Sequence, residues 1–356
     1  METTKQKNEL LFCLEAVGCL LIVFIHCSSY PGVAGDFVNL AGHLPVPLFY
    51  AVSGFYLYAP EDAPARKKAR LAGKVRHIFR LTVVSTVLYL AYQFASRRLL
   101  EGASFKGMLM EYFNPRELVM LLVFDRVTFA PHLWFVYGLF TVYLVLYALT
   151  CSGSRWADWI LRSRWFPFAL AVGGMVLRFA AFFSSWEISY FSVADVAFYR
   201  NWLFMGLPFV LMGQVLRAGA SRIRDCSDGV LWGITLGGIL LMIGEWQLYL
   251  KVHATYPEVY IGSILIVAGL FGLALKHPVW GKNTVVARFG AACSMPVYIL
   301  HLMAFWLLNS VYVAAGGDRQ APWYFWGKPL FAFVLSALLS AVYLGLTRAL
   351  ARGNEK

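Results

Sequence analysis

Residues 10–28 read LLFCLEAVGCLLIVFIHCS, an apolar run long enough to cross a bilayer as a helix. A chain in hydrocarbon must satisfy every backbone N–H and C=O internally, so repeated runs of this kind restrict the fold to a helix bundle. Ten are present, at 10–28, 43–59, 78–96, 131–151, 165–183, 200–216, 230–249, 258–276, 291–313 and 327–350. Composition agrees. Hydrophobic residues make up 60% and charged residues 14% of the chain, with a mean hydropathy of +0.62, whereas soluble domains carry roughly 25% charge. The sequence therefore predicts an all-α polytopic membrane protein of about ten transmembrane helices, with residues 1–356 forming a single transmembrane domain.

A net charge of +12 raises the question of nucleic acid, and the placement of the basic residues answers it. With ten spans, 21 of the 31 Lys and Arg fall in segments on the side of the termini and 9 on the other, Arg178 lying within a span. The positive-inside rule makes both termini cytoplasmic and assigns the charge to topology rather than to a nucleic-acid partner. The first run has no convincing cleavage site and is expected to stay in the mature, multi-pass protein. The densest basic cluster, in a loop predicted over 60–77, is read as a topology determinant touching anionic lipid. A second role is a platform for the phosphates of a nucleotide-like donor, with Arg76 and Arg80 at the start of the third helix. Between 97 and 130, the patch ELVMLLVF is too short to cross and predicts a surface or re-entrant helix.

Ionisable side chains are costly in hydrocarbon, so those inside spans mark candidate sites. Glu15 and His26 are eleven residues apart, which returns to within roughly 20° of the same helical face. With Cys19 and Ile22 they form one stripe. His132 opens the fourth span, Arg200 and Asn201 open the sixth, Arg178 and Glu245 lie in the fifth and seventh, and His301 shares a face with Ser294 and Tyr298. A histidine exchanges protons near neutral pH, which makes His26 the first candidate for a general base. Arg178 and Glu245 are equally suited to a structural ion pair. The six cysteines show no metal-ligand spacing and read as buried, reduced thiols. No metal or prosthetic group is implied.

Several stretches are similar to acyltransferase family 3 membrane proteins. They are IHC ending at Cys27, VPLFYAVSGFYLY in the second helix, KVRHIFRL at the start of the third, PHLWFVYGLF, RNWLFMGLPFVLMG and SMPVYILH. RNWLF and HLWF most resemble the membrane domains joined to vancomycin-resistance type serine racemases. The resemblance implies transfer of an acyl group, typically acetyl, from acyl-CoA as co-substrate to an extracytoplasmic glycan or small polar acceptor. It also implies a first-helix pair for donor binding and proton transfer. His26 matches the family's histidine, while Glu15 stands where the family usually has arginine.

Two functions from different classes follow. In an O-acyltransferase, His26 with Glu15 forms the catalytic pair and Arg76 and Arg80 bind the donor. His132, Trp134, Arg200, Asn201, Glu245, Tyr298 and His301 then face the acceptor or the developing oxyanion. VSGF around Ser53 lacks a nucleophile elbow, so direct attack is expected, and Ser53 with Gly54 is read as a site of close helix approach. The alternative is a transporter of a small polar solute such as L-serine, with Glu15 and His26 as a proton path.

Overall fold

The computed structural model describes residues 7–59, 62–183, 187–188, 191–192, 195–252 and 258–353. Lys5 and Lys356, counted above for topology, lie outside them. Fifteen α-helices occur among these residues: α1 (Glu9–Cys27), α2 (Gly32–Gly42), α3 (Pro45–Leu57), α4 (Pro64–Glu101), α5 (Phe105–Tyr112), α6 (Pro115–Phe124), α7 (Trp134–Ser152), α8 (Arg155–Arg162), α9 (Phe166–Phe183), α10 (Leu207–Ala218), α11 (Ala220–Asp225), α12 (Asp228–Lys251), α13 (Ile261–Lys276), α14 (Val285–Ala314) and α15 (Pro322–Gly353). A two-residue antiparallel pairing, Glu187–Ile188 with Phe191–Ser192, is the only strand structure described.

Each predicted run contains a helix, but among the described residues seven spans are long and apolar enough to cross, or eight when the bent pair α8 and α9 is counted as one. Length explains the difference. The 16 residues of α13 rise about 24 Å, short of the ~30 Å hydrocarbon core. The stretch Trp202–Ala218 is likewise short. The predicted loop over 60–77 is a correction: the helix starts at Pro64, a residue suited to the first helical turn, and continues through the basic cluster. At 38 residues α4 rises about 57 Å, so its basic first turns extend beyond any bilayer core. ELVMLLVF forms most of the short α6, as expected. Of the six thiols read as buried, Cys19 and Cys27 are, while Cys151 is exposed.

The chain divides into two compact units, residues 1–48 with 270–356, and residues 49–269. In the first, α1 packs most extensively on α14. The two helices run parallel, as three levels show. A Cβ at Gly290 would collide with the Phe12 carbonyl, the Cys19 thiol donates to the Ser294 carbonyl at 3.3 Å, and the His26 and His301 rings meet with centroids 5.3 Å apart. Small residues at Gly290 and Ser294, four apart on α14, permit this approach. Asn8 anchors the start of α1, accepting from Leu11 N–H at 3.1 Å and donating to Ala274 O at 2.7 Å. On α15, Tyr324 donates to Asn309 Oδ1 of α14 at 2.7 Å.

In the second unit, α3 and α10 touch backbone to backbone: a Cβ at Gly54 would strike the Val210 carbonyl, and one at Gly213 the Ala51 carbonyl. This is the close approach expected of Gly54. Helix α4 is tied to α7 by Thr86 and Tyr137 hydroxyls 2.6 Å apart. Gln93 donates to Phe129 O at 3.0 Å in the segment before α7.

Candidate functional site

In the first unit, the stripe predicted on α1 faces α14. Cys19 and Ile22 are buried, Glu15 is half-buried, and His26 in the last turn is exposed on one flank. His301 is fully buried, and its Nδ1–H donates to the Tyr298 carbonyl at 2.6 Å. A carbonyl can only accept, so in the neutral ring the lone pair belongs to Nε2. His301 is thereby held in one tautomer and one orientation beside His26. Tyr298, also buried, has its ring 5.9 Å from that of His301. Pro296, within α14, cannot donate to the Ala292 carbonyl and loosens the helix one turn before these groups. Past the end of α1, Tyr30 stacks on Trp326 at 4.5 Å and donates to its carbonyl at 2.5 Å.

A second cluster of candidates lies in the other unit. The Arg200 guanidinium sits over the Trp134 ring at 5.5 Å, a cation–π contact. His132, in the short turn Pro131–Leu133, is buried edge-on to Tyr89 at 4.8 Å. Asn201 is committed to the backbone: its oxygen accepts from Leu203 and Phe204, and its amide donates to Ala197 and Phe198. It caps the wide π-turn Trp202–Gly206. Glu245 sits apart from this cluster, its carboxylate accepting from Ile261 and Gly262 N–H at 3.0 and 2.9 Å. A carboxylate there complements the positive end of α13. Arg178 is buried with its guanidinium over Tyr199 at 5.3 Å.

Asp125, which sequence reasoning passed over, is the acid at the junction of α6, α7 and the π-turn. It terminates α6 in the left-handed region at φ 56° and accepts from Trp202 N–H at 2.7 Å. Thr141 Oγ1 lies 3.2 Å from its other oxygen. Burial pushes the carboxyl up to about 7, against the lowering effect of those two bonds. With the acid protonated, it can donate to Thr141 while Thr141 donates to the Tyr137 carbonyl 3.1 Å away, which satisfies the group. The only sequence signal was an acid closing an apolar run.

The basic cluster lines a cavity of about 590 Å³ with Tyr58, Lys67, Lys68, Arg70, Arg162 and Gln214 in its wall, and Asp158 also lining it. Arg70 is fixed by Asp62 at 2.6 Å. The two residues predicted to bind the donor are elsewhere: Arg76 and Arg80 are exposed on α4 and do not line this cavity.

The profile of the acyltransferase family 3 domain, described as an acyltransferase domain, matches residues 11–345, nearly the whole chain. The protein belongs to acyltransferase family 3. Membership implies acyltransferase activity in a multi-pass membrane protein, and with it an acyl donor and an acyl acceptor. No curated protein and no solved structure matches the chain. In this family 3 protein, the histidines of α1 and α14 are groups able to exchange a proton, and the lysines and arginines of the basic cavity are groups able to attract an anion.

Proposed function

We propose that the protein is an O-acyltransferase of a bacterial plasma membrane, with ten helices and cytoplasmic termini, acting over its whole length as one domain. It moves an acyl group, in the simplest case acetyl, from cytoplasmic acyl-CoA to an extracytoplasmic hydroxyl such as that of a glycan. The observation that carries the reading is His26, a proton-exchanging group exposed at the end of a membrane helix and backed by the buried, tautomer-locked His301. His26 takes the proton of the acceptor hydroxyl as its oxygen attacks the thioester carbonyl. The C–O bond forms, the C–S bond breaks, and the departing thiolate recovers the proton from His26. Lys67 and Lys68 supply the positive field that the donor phosphates require, Arg70 being paired with Asp62, and Arg76 and Arg80 on the exposed face of α4 add only a weak long-range contribution. The acceptor-side candidates are Tyr298 in the first unit and His132, Trp134 and Arg200 in the second. Asn201 and Glu245 support them indirectly, since their side chains are spent on backbone.

The test is release of free CoA thiol from acetyl-CoA by the protein in lipid nanodiscs, with His26→Ala and Glu15→Arg alongside. Loss of release in His26→Ala supports the mechanism, and full release sinks it. A second reading, proton-coupled uptake of a small amino acid such as L-serine, is favoured by one observation: Glu15 stands where the resemblance implies arginine, and a carboxylate repels phosphate. Uptake into proteoliposomes that Glu15→Gln leaves unchanged eliminates this version.

A further inference from the structure

The corner between α8 and α9 carries features that acyl transfer does not use. The two helices are bent 83° from each other across a short break, so when α9 crosses the membrane α8 lies along its surface. On α8, Ala157, Ile160 and Leu161 fall on one arc and Arg155, Asp158 and Arg162 on another. Trp156 and Trp159 flank them, 76% and 53% exposed, and Trp165 after the bend is 81% exposed. Indoles with arginines are the composition of a membrane interface.

Beside this corner lies a cavity of about 410 Å³ whose wall carries Arg162, Arg164 and Arg222 with the hydroxyl residues Ser163 and Ser221. No carboxylate among the described residues lines it; the adjoining cavity, lined by Trp159 and Trp165 with Arg162, Ser163 and Arg164, has Asp158 at its wall. The first cavity's remaining lining includes Leu161, Leu211 and Val215. Three guanidiniums and two hydroxyls suit the oxygens of a phosphate, while the aliphatic lining suits a ligand with a hydrocarbon part. Arg162 also borders the larger basic cavity, but the tryptophans, Arg164 and Arg222 do not.

We propose that this corner is a binding site for an anionic phospholipid, with the headgroup phosphate held by Arg162, Arg164 and Arg222 and the glycerol and acyl portion lying along Trp159 and Trp165. The site adjoins the larger basic cavity, sharing Tyr58, Leu161, Arg162 and Gln214 with it, while Arg164 and Arg222 belong to this corner alone. A lipid bound there ties α8, the last turns of α10 and the first turn of α11 to the headgroup layer.

The test uses the full-length protein in phosphatidylcholine nanodiscs containing a minority of brominated phosphatidylglycerol or brominated phosphatidylcholine, with quenching of tryptophan fluorescence as readout. Half-quenching is expected at a phosphatidylglycerol fraction at least about fivefold lower, the factor one arginine supplies at an anionic headgroup. The Trp159→Phe/Trp165→Phe variant loses that excess quenching. The Arg162→Gln/Arg164→Gln/Arg222→Gln variant loses the lipid preference and keeps the phosphatidylcholine signal. Equal quenching by the two lipids overturns the proposal, as does a preference that survives in the tryptophan pair, which alters none of the arginines. Displacement by adenosine 3′,5′-bisphosphate reassigns the cavity to a nucleotide, and displacement by inorganic phosphate reduces it to a free-anion site; either result also overturns the proposal.

Discussion

His301 separates two accounts of the histidine pair, and two substitutions distinguish them. Asparagine places an amide N–H where Nδ1 stood and nothing where Nε2 stood; glutamine reaches the Nε2 position. The Nδ1–H bond to Tyr298 O is 2.6 Å, and one such bond contributes about 1 kcal/mol. His301→Asn retains it, so thermal stability falls little. If His301 acts through its Nε2 edge on His26, whose ring centre is 5.3 Å away, asparagine frees His26 to reorient. General-base catalysis contributes about 10²–10⁴ in rate, and a displacement of about 1 Å removes on the order of 10² of it. His301→Asn should therefore lower kcat for CoA release from acetyl-CoA by about 10- to 100-fold with KM unchanged, while His301→Gln recovers part of the loss. His26→Ala, measured in the same nanodiscs, sets the floor. An asparagine variant as active as the parent, beside an inactive His26→Ala, shows that His301 only fills space and refutes its positioning role. Activity retained in His26→Ala refutes the mechanism itself.

Three further outcomes follow from the geometry. Asp125 titrates at about 7 in the fold against 3.8 for an ordinary aspartate, so the native state binds more protons between those values and stability falls as pH rises from about 4 to 7. Asp125→Asn keeps an acceptor for Trp202 and a donor for Thr141; it should raise Tm by about 2–6 °C at pH 8 and leave it unchanged at pH 4, measured by fluorescence melting, and a parent Tm flat across this range contradicts the burial argument. Gly290→Val must displace the Phe12 backbone and should cost on the order of 3 kcal/mol, read as a large fall in Tm with loss of CoA release; a parent-like protein would show that the close approach of α1 and α14 is dispensable. Glu15→Arg should tighten acetyl-CoA binding by about tenfold, the direction that exchanging a negative for a positive charge dictates near phosphate, and an unchanged affinity places the donor away from Glu15.

How far these features were legible in the chain depends on whether the physics that sets them is local. Span by span, the helices were, because hydrocarbon permits little else; whether α13 and Trp202–Ala218 cross was not, since their length limits come from caps and turns such as Asn201. The histidines could be named singly, but their meeting rests on a parallel contact between residues 275 apart in the chain, signalled only by the small residues Gly290, Ser294 and Cys19. Glu245 reads in sequence as a charge inside a span, and only the fold shows it closing the start of α13. The donor residues are the most instructive case. A loop over 60–77 gives no reason to rank its basic groups, so the sequence points to Arg76 and Arg80 by their nearness to the third span. Once Pro64 begins a helix, periodicity decides: Arg76 lies nine residues from Lys67 and Arg80 thirteen, rotations that bring both to the opposite face at about 100° per residue. Lys67, Lys68 and Arg70, within one turn of each other, share the cavity wall. In the proposed function the two faces would divide the work, with the cavity face offered to donor phosphates and the exposed face carrying Arg76 and Arg80. Neutralising Lys67 and Lys68 should weaken acetyl-CoA binding, whereas neutralising Arg76 and Arg80 should leave it nearly intact.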